Sequence, residues 1–349
     1  MRKPPTILDV AETSGVSKST VSNVIRGAGN VSSTTRDRVL EAVAQLGYRP
    51  NALARNLVRQ RTSTLGLVVG DLANPFYSEL AKLIEACASE AGYTTMICNT
   101  DGRAEGERAR VESLLEHRVA GILMLQFSGD GAIVGELLAQ GVPLVVASCW
   151  EERSDCVAVD DVAAARRAVE HLVALGHERI AYVSSALVEP ATDRARQLGF
   201  RQALGGADTQ PVVRLEHPAY LRSDTDLRAA VERVLDGSDP PTAFFCSNDL
   251  VAVDLLETLE QAGVAVPAAV SVVGFDDIAL AGLARVGLTT VAQPTDELAR
   301  RGVELLLRRI EGGADLPLDQ RRLEARLVVR ASTARPPRVA AGTASGASA

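Results

Sequence analysis

The stretch Gly15-Val16-Ser17-Lys18-Ser19-Thr20-Val21-Ser22-Asn23-Val24-Ile25-Arg26-Gly27 decides the fold of the N-terminal region. Ser17 can cap a helix by accepting a backbone N–H, and in that helix Val21, Val24 and Ile25 fall on one face. The other face carries short polar side chains that are uncharged except for one lysine. Such side chains suit hydrogen bonding to base edges in the major groove of DNA. The stretch therefore predicts a recognition helix.

A helix is predicted on either side of this one. Apolar residues repeat at helical spacing between Thr6, a candidate N-cap, and Gly15, which can adopt the left-handed conformation that ends a helix. A further apolar stripe runs from a candidate cap at Ser32 to a candidate stop at Gly47. The first two helices lie as close together as in a helix-turn-helix, and the three together predict a small all-α unit.

A fourth, shorter helix is predicted after Pro50. Asn51 can cap it, and Leu53 and Leu57 lie on the same side. At about seven residues this helix is too short to be stable alone, so another contact must hold it. Two roles are open for Leu57. It packs on its own three-helix unit, or it meets its symmetry mate and enters the minor groove as an apolar wedge.

These motifs closely resemble the DNA-binding headpiece of the LacI/GalR family of bacterial transcription regulators. The matching runs, in chain order, are Asp9-Val10-Ala11, Gly15-Val16-Ser17, Thr20-Val21-Ser22, Tyr48-Arg49-Pro50-Asn51 and Ala54-Arg55-Asn56-Leu57. The resemblance favours the wedge role for Leu57. This sequence departs from the family pattern at Asn23, because several members have at that position an arginine that reads a guanine. The predicted DNA-binding residues are Thr6, Ser17, Lys18, Ser19, Thr20, Ser22, Asn23, Asn30, Ser32, Thr35, Asn51, Ala54 and Leu57.

Charge is divided unevenly along the chain. The first 61 residues carry ten Lys or Arg against four Asp or Glu, whereas the remaining residues carry 27 basic and 40 acidic side chains. A helix-turn-helix can also be a mere packing motif. A basic head on an acidic body, however, is the pattern expected when phosphate contact is confined to one end of a protein, and it favours DNA binding.

Length and composition set further bounds. At 349 residues and 46% apolar content, the chain is expected to form two or three domains. No apolar run typical of a signal peptide or a membrane span is found, so we expect a cytoplasmic protein with no membrane partner. The five Cys and four His do not cluster, and we predict no metal site and no cofactor. Without a nucleophile-base pair or a phosphate-binding glycine loop, no catalytic residue is predicted, and we expect no enzyme.

Beyond Leu65 the periodicity changes, and short buried-strand runs alternate with helical patterns. Alternation of this kind predicts parallel sheets covered by helices on both faces, and the number of strands suggests two sheets, hence two lobes with a cleft between them. The predicted strands are 65–69, 95–98, 121–125, 143–147, 156–159, 179–183, 243–246, 270–275 and a last strand at 324–329.

Ligands of such sheets bind beyond the carboxyl ends of the strands. Carboxylates, amides and arginines found there, together with aromatic rings, suit a polyhydroxyl ring, whose hydroxyls they can bind while the rings cover its C–H faces. The alternative is that Asp and Asn after strands merely cap helices. The predicted effector-binding residues are Asp71, Asn74, Phe76, Tyr77, Trp150, Arg194, Arg196, Asn248 and Asp276.

This half of the chain also resembles the family's effector domain, which is similar to periplasmic sugar-binding proteins. The resemblance implies that Phe76, Tyr77, Arg196, Asn248 and Asp276 line the effector pocket. The segment 147–153 lacks the Asp-Arg pair that many members carry, although its Trp150 can stack on a sugar. The runs that carry the resemblance include Asp71-Leu72-Ala73-Asn74-Pro75-Phe76-Tyr77, Ser247-Asn248-Asp249 and Ser271-Val272-Val273-Gly274-Phe275-Asp276-Asp277.

The predicted fold is an all-α helix-turn-helix headpiece plus an α/β two-lobed, periplasmic-binding-protein-like effector domain. The headpiece spans 1–49, a hinge helix and linker 50–61, the effector and dimerisation domain 62–334, and a disordered tail 335–349. Within the effector domain we expect an N-lobe of about 62–161 and 291–321 and a C-lobe of about 162–290 and 322–334.

The predicted function is that of a homodimeric repressor of genes for carbohydrate uptake or catabolism. Its partners would be palindromic double-stranded operator DNA and a small-molecule effector, a sugar, that releases it from the operator or locks it there. Two alternatives are a regulator that responds to a nucleoside, a purine or a partner protein, and a transporter's solute-binding protein, which shares the two-lobed fold. The headpiece argues against the latter.

Overall fold

The computed structural model describes residues 5–25, 27–48, 62–125, 131–184, 191–205, 212–214, 224–313 and 315–337. The chain divides into two compact units, Met1–Thr62 and Ser63–Ala349. The predicted fourth helix, with Asn51, Ala54 and Leu57, lies outside the described residues, as does the tail beyond residue 337.

The described part of the first unit contains three helices, as predicted: α1 (Ile7–Ser14), α2 (Lys18–Ile25) and α3 (Ser33–Leu46). Each of the three helices buries apolar residues where the helices meet. The centre of this small core consists of Val10, Ala11, Val21, Val24, Val39 and Ala42.

The predicted helix ends of the first unit are confirmed. The Thr6 hydroxyl accepts the Asp9 N–H at 3.4 Å and the Asp9 carboxylate accepts the Thr6 N–H at 2.6 Å, which completes a capping box. Ser17 and Ser32 accept backbone N–H groups at the starts of α2 and α3. Gly15 ends α1 with a φ of 64°, in the left-handed region that favours glycine.

The second unit contains two sheets, as predicted, and each has six strands among the described residues. Its elements in chain order are β1 (Thr64–Val69), α4 (Pro75–Glu90), β2 (Thr94–Asn99), α5 (Ala104–Glu116), β3 (Gly121–Met124), α6 (Ala132–Ala139), β4 (Leu144–Ala147), β5 (Asp155–Val159), α7 (Asp161–Leu175), β6 (Ile180–Ser184), α8 (Ala191–Ala203), β7 (Val212–Arg214), α9 (Asp224–Leu235), β8 (Ala243–Cys246), α10 (Asp249–Gln261), β9 (Ser271–Asp276), the 3-10 turn Ala279–Gly282, β10 (Thr289–Ala292), α11 (Thr295–Gly312), β11 (Gln320–Leu323) and β12 (Arg326–Val328).

Each sheet forms one lobe of the second unit. The N-lobe sheet is all parallel in the order β11-β5-β4-β3-β1-β2. The C-lobe sheet has the order β12-β10-β9-β8-β6-β7, and only its edge strand β12 is antiparallel. In the part of the chain that the structure describes, no helix is both long enough and apolar enough to cross a membrane.

Side chains alternate between the two faces of the N-lobe strands and bury both faces. Leu65, Leu67 and Val69 of β1 belong to the core that also contains apolar residues of α4 and α11, whereas Val68 belongs to the core under α5 and α6. The inner strands β1, β3 and β4 are therefore buried on both faces, which explains why they read as continuous apolar runs in the sequence.

The chain crosses between the lobes three times, between β5 and α7, between β10 and α11, and between β11 and β12. The predicted last strand at 324–329 contains β12, and its residues 326–328 pair with β10. The strand β11 at 320–323, which pairs with β5, was not predicted. The lobe boundaries shift accordingly: Val291 and Ala292 pair with β9 of the C-lobe, and Leu323 pairs with β5 of the N-lobe. The local sequence of 320–328 does not indicate where the chain leaves one sheet and joins the other.

The two helices α7 and α8 pack so closely that one position tolerates no side chain. A Cβ on Gly199 would lie 2.3 Å from the Val162 carbonyl oxygen and 2.9 Å from Ala165 Cβ. We expect Gly199→Ala to lower the free energy of unfolding of the second unit by about 1 to 3 kcal/mol, because backbone has to move. Urea unfolding measures the loss.

A matched control is Gly135→Ala in α6. A Cβ there would meet only the tip of Arg153 at 3.6 Å, an ordinary contact. Replacing a helical glycine by alanine at an open position should stabilise by up to about 1 kcal/mol. Equal effects of the two substitutions would contradict the close packing of α7 on α8.

Candidate functional site

The first unit presents most of its predicted DNA-binding side chains to solvent. The candidates that precede or begin helices α1, α2 and α3 are exposed, and those within α2 and α3 are partly exposed. The exposed residues are Thr6, Ser17, Lys18, Ser19, Asn30 and Ser32, and the partly exposed residues are Thr20, Ser22, Asn23 and Thr35.

Three of these residues cap helices, and their hydroxyl protons differ in availability. The Ser17 oxygen accepts the Thr20 N–H at 3.1 Å and lies 2.7 Å from the Ser19 hydroxyl. The Ser32 hydroxyl donates to Thr35, which leaves the proton of Thr35 for another acceptor. The Thr6 hydroxyl donates to Asp9 at 2.8 Å. A phosphate oxygen would therefore find a free donor at Thr35, whereas Thr6 already uses its proton in the capping box.

In the second unit, the buried side chain of Arg196 contacts polar groups at the ends of two strands and at the start of a helix. Arg196 of α8 is 7% exposed. Its Nε donates to Asp161 at 2.8 Å and its Nη1 donates to the Ser247 carbonyl oxygen at 2.6 Å. Its guanidinium carbon lies 3.7 Å above the Phe275 ring, and Nη1 lies 3.6 Å from Asp276. Helix α8 is thus fastened to the ends of β8 and β9 and to the start of α7.

Asp276 ends β9 in a conformation that few residues adopt. Its φ is 119°, in the region that favours glycine, and its carboxylate accepts from Gln293 Nε2 at 2.8 Å. Burial raises the pKa of Asp276 to about 7, although the positive charge of Arg196 opposes the shift. The carboxylate thus titrates near neutral pH.

The fully buried Asp249 binds the loop that follows β9. Its carboxylate accepts the Ile278 N–H at 2.9 Å and the Thr290 hydroxyl. A Cβ on Gly274 would lie 2.2 Å from this carboxylate, so glycine is required there. Burial and the negative charge of Asp276 raise the pKa of Asp249 to about 8. We assign Asp249 to support of the loop that presents Asp276.

The N-lobe contributes an aromatic pair to the same place. The rings of Phe76 and Tyr77, in the first turn of α4, meet edge to face at 5.1 Å. Burial and the negative charge of Asp276 raise the pKa of the Tyr77 hydroxyl, and Arg196 opposes this shift. Tyr77 of one lobe therefore lies within electrostatic reach of the two charged residues of the other.

Other predicted effector residues have local partners. Asn74 and Asn248 accept backbone N–H groups at 3.0 Å as the N-caps of α4 and α10, so the capping interpretation holds for both. The cap uses only the side-chain oxygen, and the amide NH2 remains a donor. Asp71 accepts the Ala73 N–H at 2.8 Å.

Of the remaining predicted effector residues, one lies away from Arg196 and Asp276 and the other is partly covered by a neighbouring side chain. Arg194 is exposed, because residues two apart on a helix point about 200° apart and Arg196 faces inward. The Arg322 guanidinium covers one face of the Trp150 ring at 3.9 Å, which leaves only the other face for stacking. The Trp150 N–H is buried without a hydrogen-bond partner among the described residues.

Sequence reasoning missed Asp161 and Gln293, which bind the two central charges of the cluster. Asp161 begins a helix, so its position suggests only a cap. Gln293 follows β10, a strand that the sequence analysis did not assign. Recognition of that strand would have placed Gln293 at a carboxyl end beside Asp276.

A cavity of about 660 Å³ lies where the lobes join. Phe76 lines it from the N-lobe, Asp276 and Gln293 line it from the C-lobe, and the two later crossings close it. The space suits a small molecule. Among the described residues, no group of three or more His, Cys, Asp and Glu side chains is placed to hold a metal ion.

Comparisons with known proteins agree with both units. A model of bacterial regulatory proteins of the lacI family matches residues 6–51, and a model of a periplasmic binding protein-like domain matches residues 169–333. The HTH-type transcriptional repressor PurR of Photobacterium profundum is 36% identical over 88% of this chain and 92% of its own. The ribose operon repressor of Haemophilus influenzae is 33% identical over 88% of this chain and 92% of its own.

A solved structure covers nearly the whole chain. The lac repressor dimer bound to operator and the anti-inducer ONPF has a TM-score of 0.82 and 29% identity, and the match covers 95% of this chain and 100% of that one. These relatives regulate transcription, which confirms the expectation that the chain is not an enzyme.

The raised pKa of Asp276 predicts a pH dependence of stability. Between its ordinary value of 3.8 and about 7, folded Asp276 holds a proton that the unfolded chain releases. The free energy of unfolding therefore falls as the pH rises through this range, by at most about 1.4 kcal/mol per pH unit from this group. Asp276→Asn should flatten that fall. Urea unfolding from pH 4 to 8, followed by fluorescence of the single tryptophan, measures it. Identical pH profiles of parent and variant would contradict the assignment.

Proposed function

This chain belongs to the lacI family of bacterial regulatory proteins and is a DNA-binding transcriptional regulator, and from that premise we propose that it represses genes for carbohydrate uptake or catabolism. In this proposal a homodimer binds a palindromic operator through two headpieces. A sugar in the cleft between the lobes controls that binding.

The observation that carries the effector proposal is the pair Arg196 and Asp276. Arg196 Nη1 and Asp276 Oδ1 lie 3.6 Å apart, and none of the described residues binds Arg196 Nη2 or the second oxygen of Asp276, so the two neighbouring side chains keep one free donor and one free acceptor. Two vicinal hydroxyls of a sugar match such a pair. The rings of Phe76 and Tyr77 supply the apolar surface that the C–H face of a sugar requires.

DNA reading is assigned to helix α2. We propose that Lys18, Ser19 and Asn23 reach base edges, while Ser17, Thr20, Ser22 and the backbone of 30–33 contact phosphates. One headpiece reads few base pairs, and two related by a two-fold axis read a palindrome. The dimeric lac repressor bound to operator supports this arrangement.

Control would run from the cleft to the segment 50–61. A sugar that binds both lobes changes their relative position, and we propose that this decides whether the paired hinge segments, with Leu57 in the minor groove, form on the operator. The cleft residues that respond belong to both lobes, which is the arrangement that such a change requires.

A second candidate effector is a nucleoside or purine base. The edge-to-face pair Phe76 and Tyr77 can stack on a base as readily as on a sugar, and the relative PurR is no less similar to this chain than the ribose operon repressor. A partner protein is the remaining alternative, and it would not need the buried donor and acceptor at Arg196 and Asp276.

The assignment of Asn23 to base reading predicts a sequence-dependent loss. Asn23→Ala should weaken operator binding by about 1 to 3 kcal/mol and leave binding to random DNA nearly unchanged, because a base contact is lost and no phosphate contact is. Fluorescence anisotropy with both DNAs measures this. Thr35→Ala is the control and should weaken binding to both DNAs equally. Equal losses for Asn23→Ala would remove it from the base-reading set.

Effector control is tested by titrating the operator complex with ribose, other sugars, nucleosides and purine bases. Arg196→Lys keeps the charge but loses the planar fork, and it should raise the concentration needed for half response about tenfold or more while operator affinity is retained. Arg201→Lys, on the exposed side of the same helix, should respond as the parent does. If no compound changes operator binding by the parent, effector control by these small molecules is wrong.

A further inference from the structure

The proposed effector cleft lacks the net positive charge that an anion-binding site requires. Arg196 is enclosed by two carboxylates, Asp161 at 2.8 Å and Asp276 at 3.6 Å. Both aspartates are 5% exposed. With Asp161 ionised, the two acids around one buried guanidinium leave these three side chains without net positive charge, whichever protonation state Asp276 adopts.

Neighbouring arginines do not supply the missing charge. Arg330 is paired with Asp277 at 2.6 Å, and Arg322 lies 3.5 Å from Asp160 while it covers Trp150. The cavity beside Arg196 is itself lined by two arginines and five carboxylates: Arg167, Arg326, Glu79, Asp276, Asp277, Asp296 and Glu324. A ligand that passes through this acidic lining and reaches Arg196 meets a cation that protein carboxylates already compensate.

The geometry of Arg196 also excludes the binding mode that phosphate prefers. Bidentate recognition uses two parallel N–H groups of the guanidinium fork. The Nε edge is occupied by Asp161, and Nη1 is shared between the Ser247 carbonyl and Asp276. Only Nη2 remains, which is sufficient for one hydroxyl and insufficient for a phosphate fork.

We propose that Asp161 sets the charge specificity of this cleft: by occupying the Nε edge of Arg196 and neutralising it, Asp161 admits uncharged polyhydroxyl molecules and rejects phosphorylated ones. The proposal rests on the proposed effector cleft and narrows its ligand class. An incoming phosphate, with a charge of about −1.5 to −2, would be repelled by Asp161 and Asp276 at close range. A neutral hydroxyl pays no such cost, because it donates to Asp276 and accepts from Nη2.

The substitution Asp161→Asn removes the negative charge of the side chain and leaves its shape nearly unchanged. The side-chain oxygen of asparagine can still accept from Arg196 Nε, so Asp161→Asn keeps the hydrogen bond and removes one negative charge. Asp160→Asn is a matched control, because Asp160 is the adjacent residue and faces Arg322 instead. Its side chain caps α7 by accepting the Ala163 N–H at 3.0 Å, and asparagine caps equally well.

The probes are inorganic phosphate and the pair ribose and ribose 5-phosphate. Full-length parent, Asp161→Asn and Asp160→Asn are titrated calorimetrically at pH 8, where Asp276 is largely ionised, and at constant ionic strength set with chloride. The basic headpiece is the same in all three proteins, so differences between them report on the cleft. We expect Asp161→Asn to bind phosphate at least tenfold more tightly than the parent, and Asp160→Asn to match the parent.

Two results would overturn the proposal. One is equal phosphate binding by the parent and Asp161→Asn, and the other is an equal gain in Asp160→Asn. If Asp161→Asn does not fold, the parent is compared with Arg196→Lys, and parent binding of phosphate or ribose 5-phosphate that depends on Arg196 refutes the proposal, whereas its absence supports it. Failure of effector control is distinguishable: Asp161→Asn would still gain phosphate binding, while no compound would change the parent's operator binding.

Discussion

The buried guanidinium of Arg196 is the interaction on which the effector half of this protein depends. It joins the beginning of α7, the end of β8 and the end of β9, three elements that are far apart in the sequence. A buried arginine costs free energy unless its charge is compensated and its donors are used. The elements around it therefore have to supply a carbonyl and carboxylates at this point, and one of these groups, Asp276, also lines the cavity between the lobes.

That requirement explains why the cleft is polar and densely hydrogen-bonded. Asp276 keeps an unfavourable backbone conformation because Arg196 and Gln293 hold its carboxylate and Asp249 holds the loop that follows. Tyr77 approaches from the other lobe, so the cluster lies where relative movement of the lobes would change its surroundings. A site of this kind can couple ligand binding to a change between the lobes, since its contacts differ in the two arrangements.

The headpiece differs, because its core is small and each of its three described helices begins at a capping side chain. Thr6, Ser17 and Ser32 cap the helices, and all three are among the residues predicted to bind DNA. Helix N-termini attract anions, so the capped starts of these helices suit the phosphate contacts that we propose. The basic charge of this region and the acidic charge of the remainder agree with DNA contact at one end of the chain.

Much of the fold was determined by local sequence signals, since caps, glycine stops and the change from helical to strand periodicity are properties of neighbouring residues. Arg196 and Asp276 were also found in this way, because they follow strands whose ends meet in a parallel sheet. Only the tertiary structure decided that 320–323 and 326–328 lie in different sheets, because sheet partners are chosen by long-range pairing. Only it showed that Arg194 is exposed while Arg196 is enclosed by Asp161, because the partner of a buried charge comes from another helix and leaves no trace in local spacing.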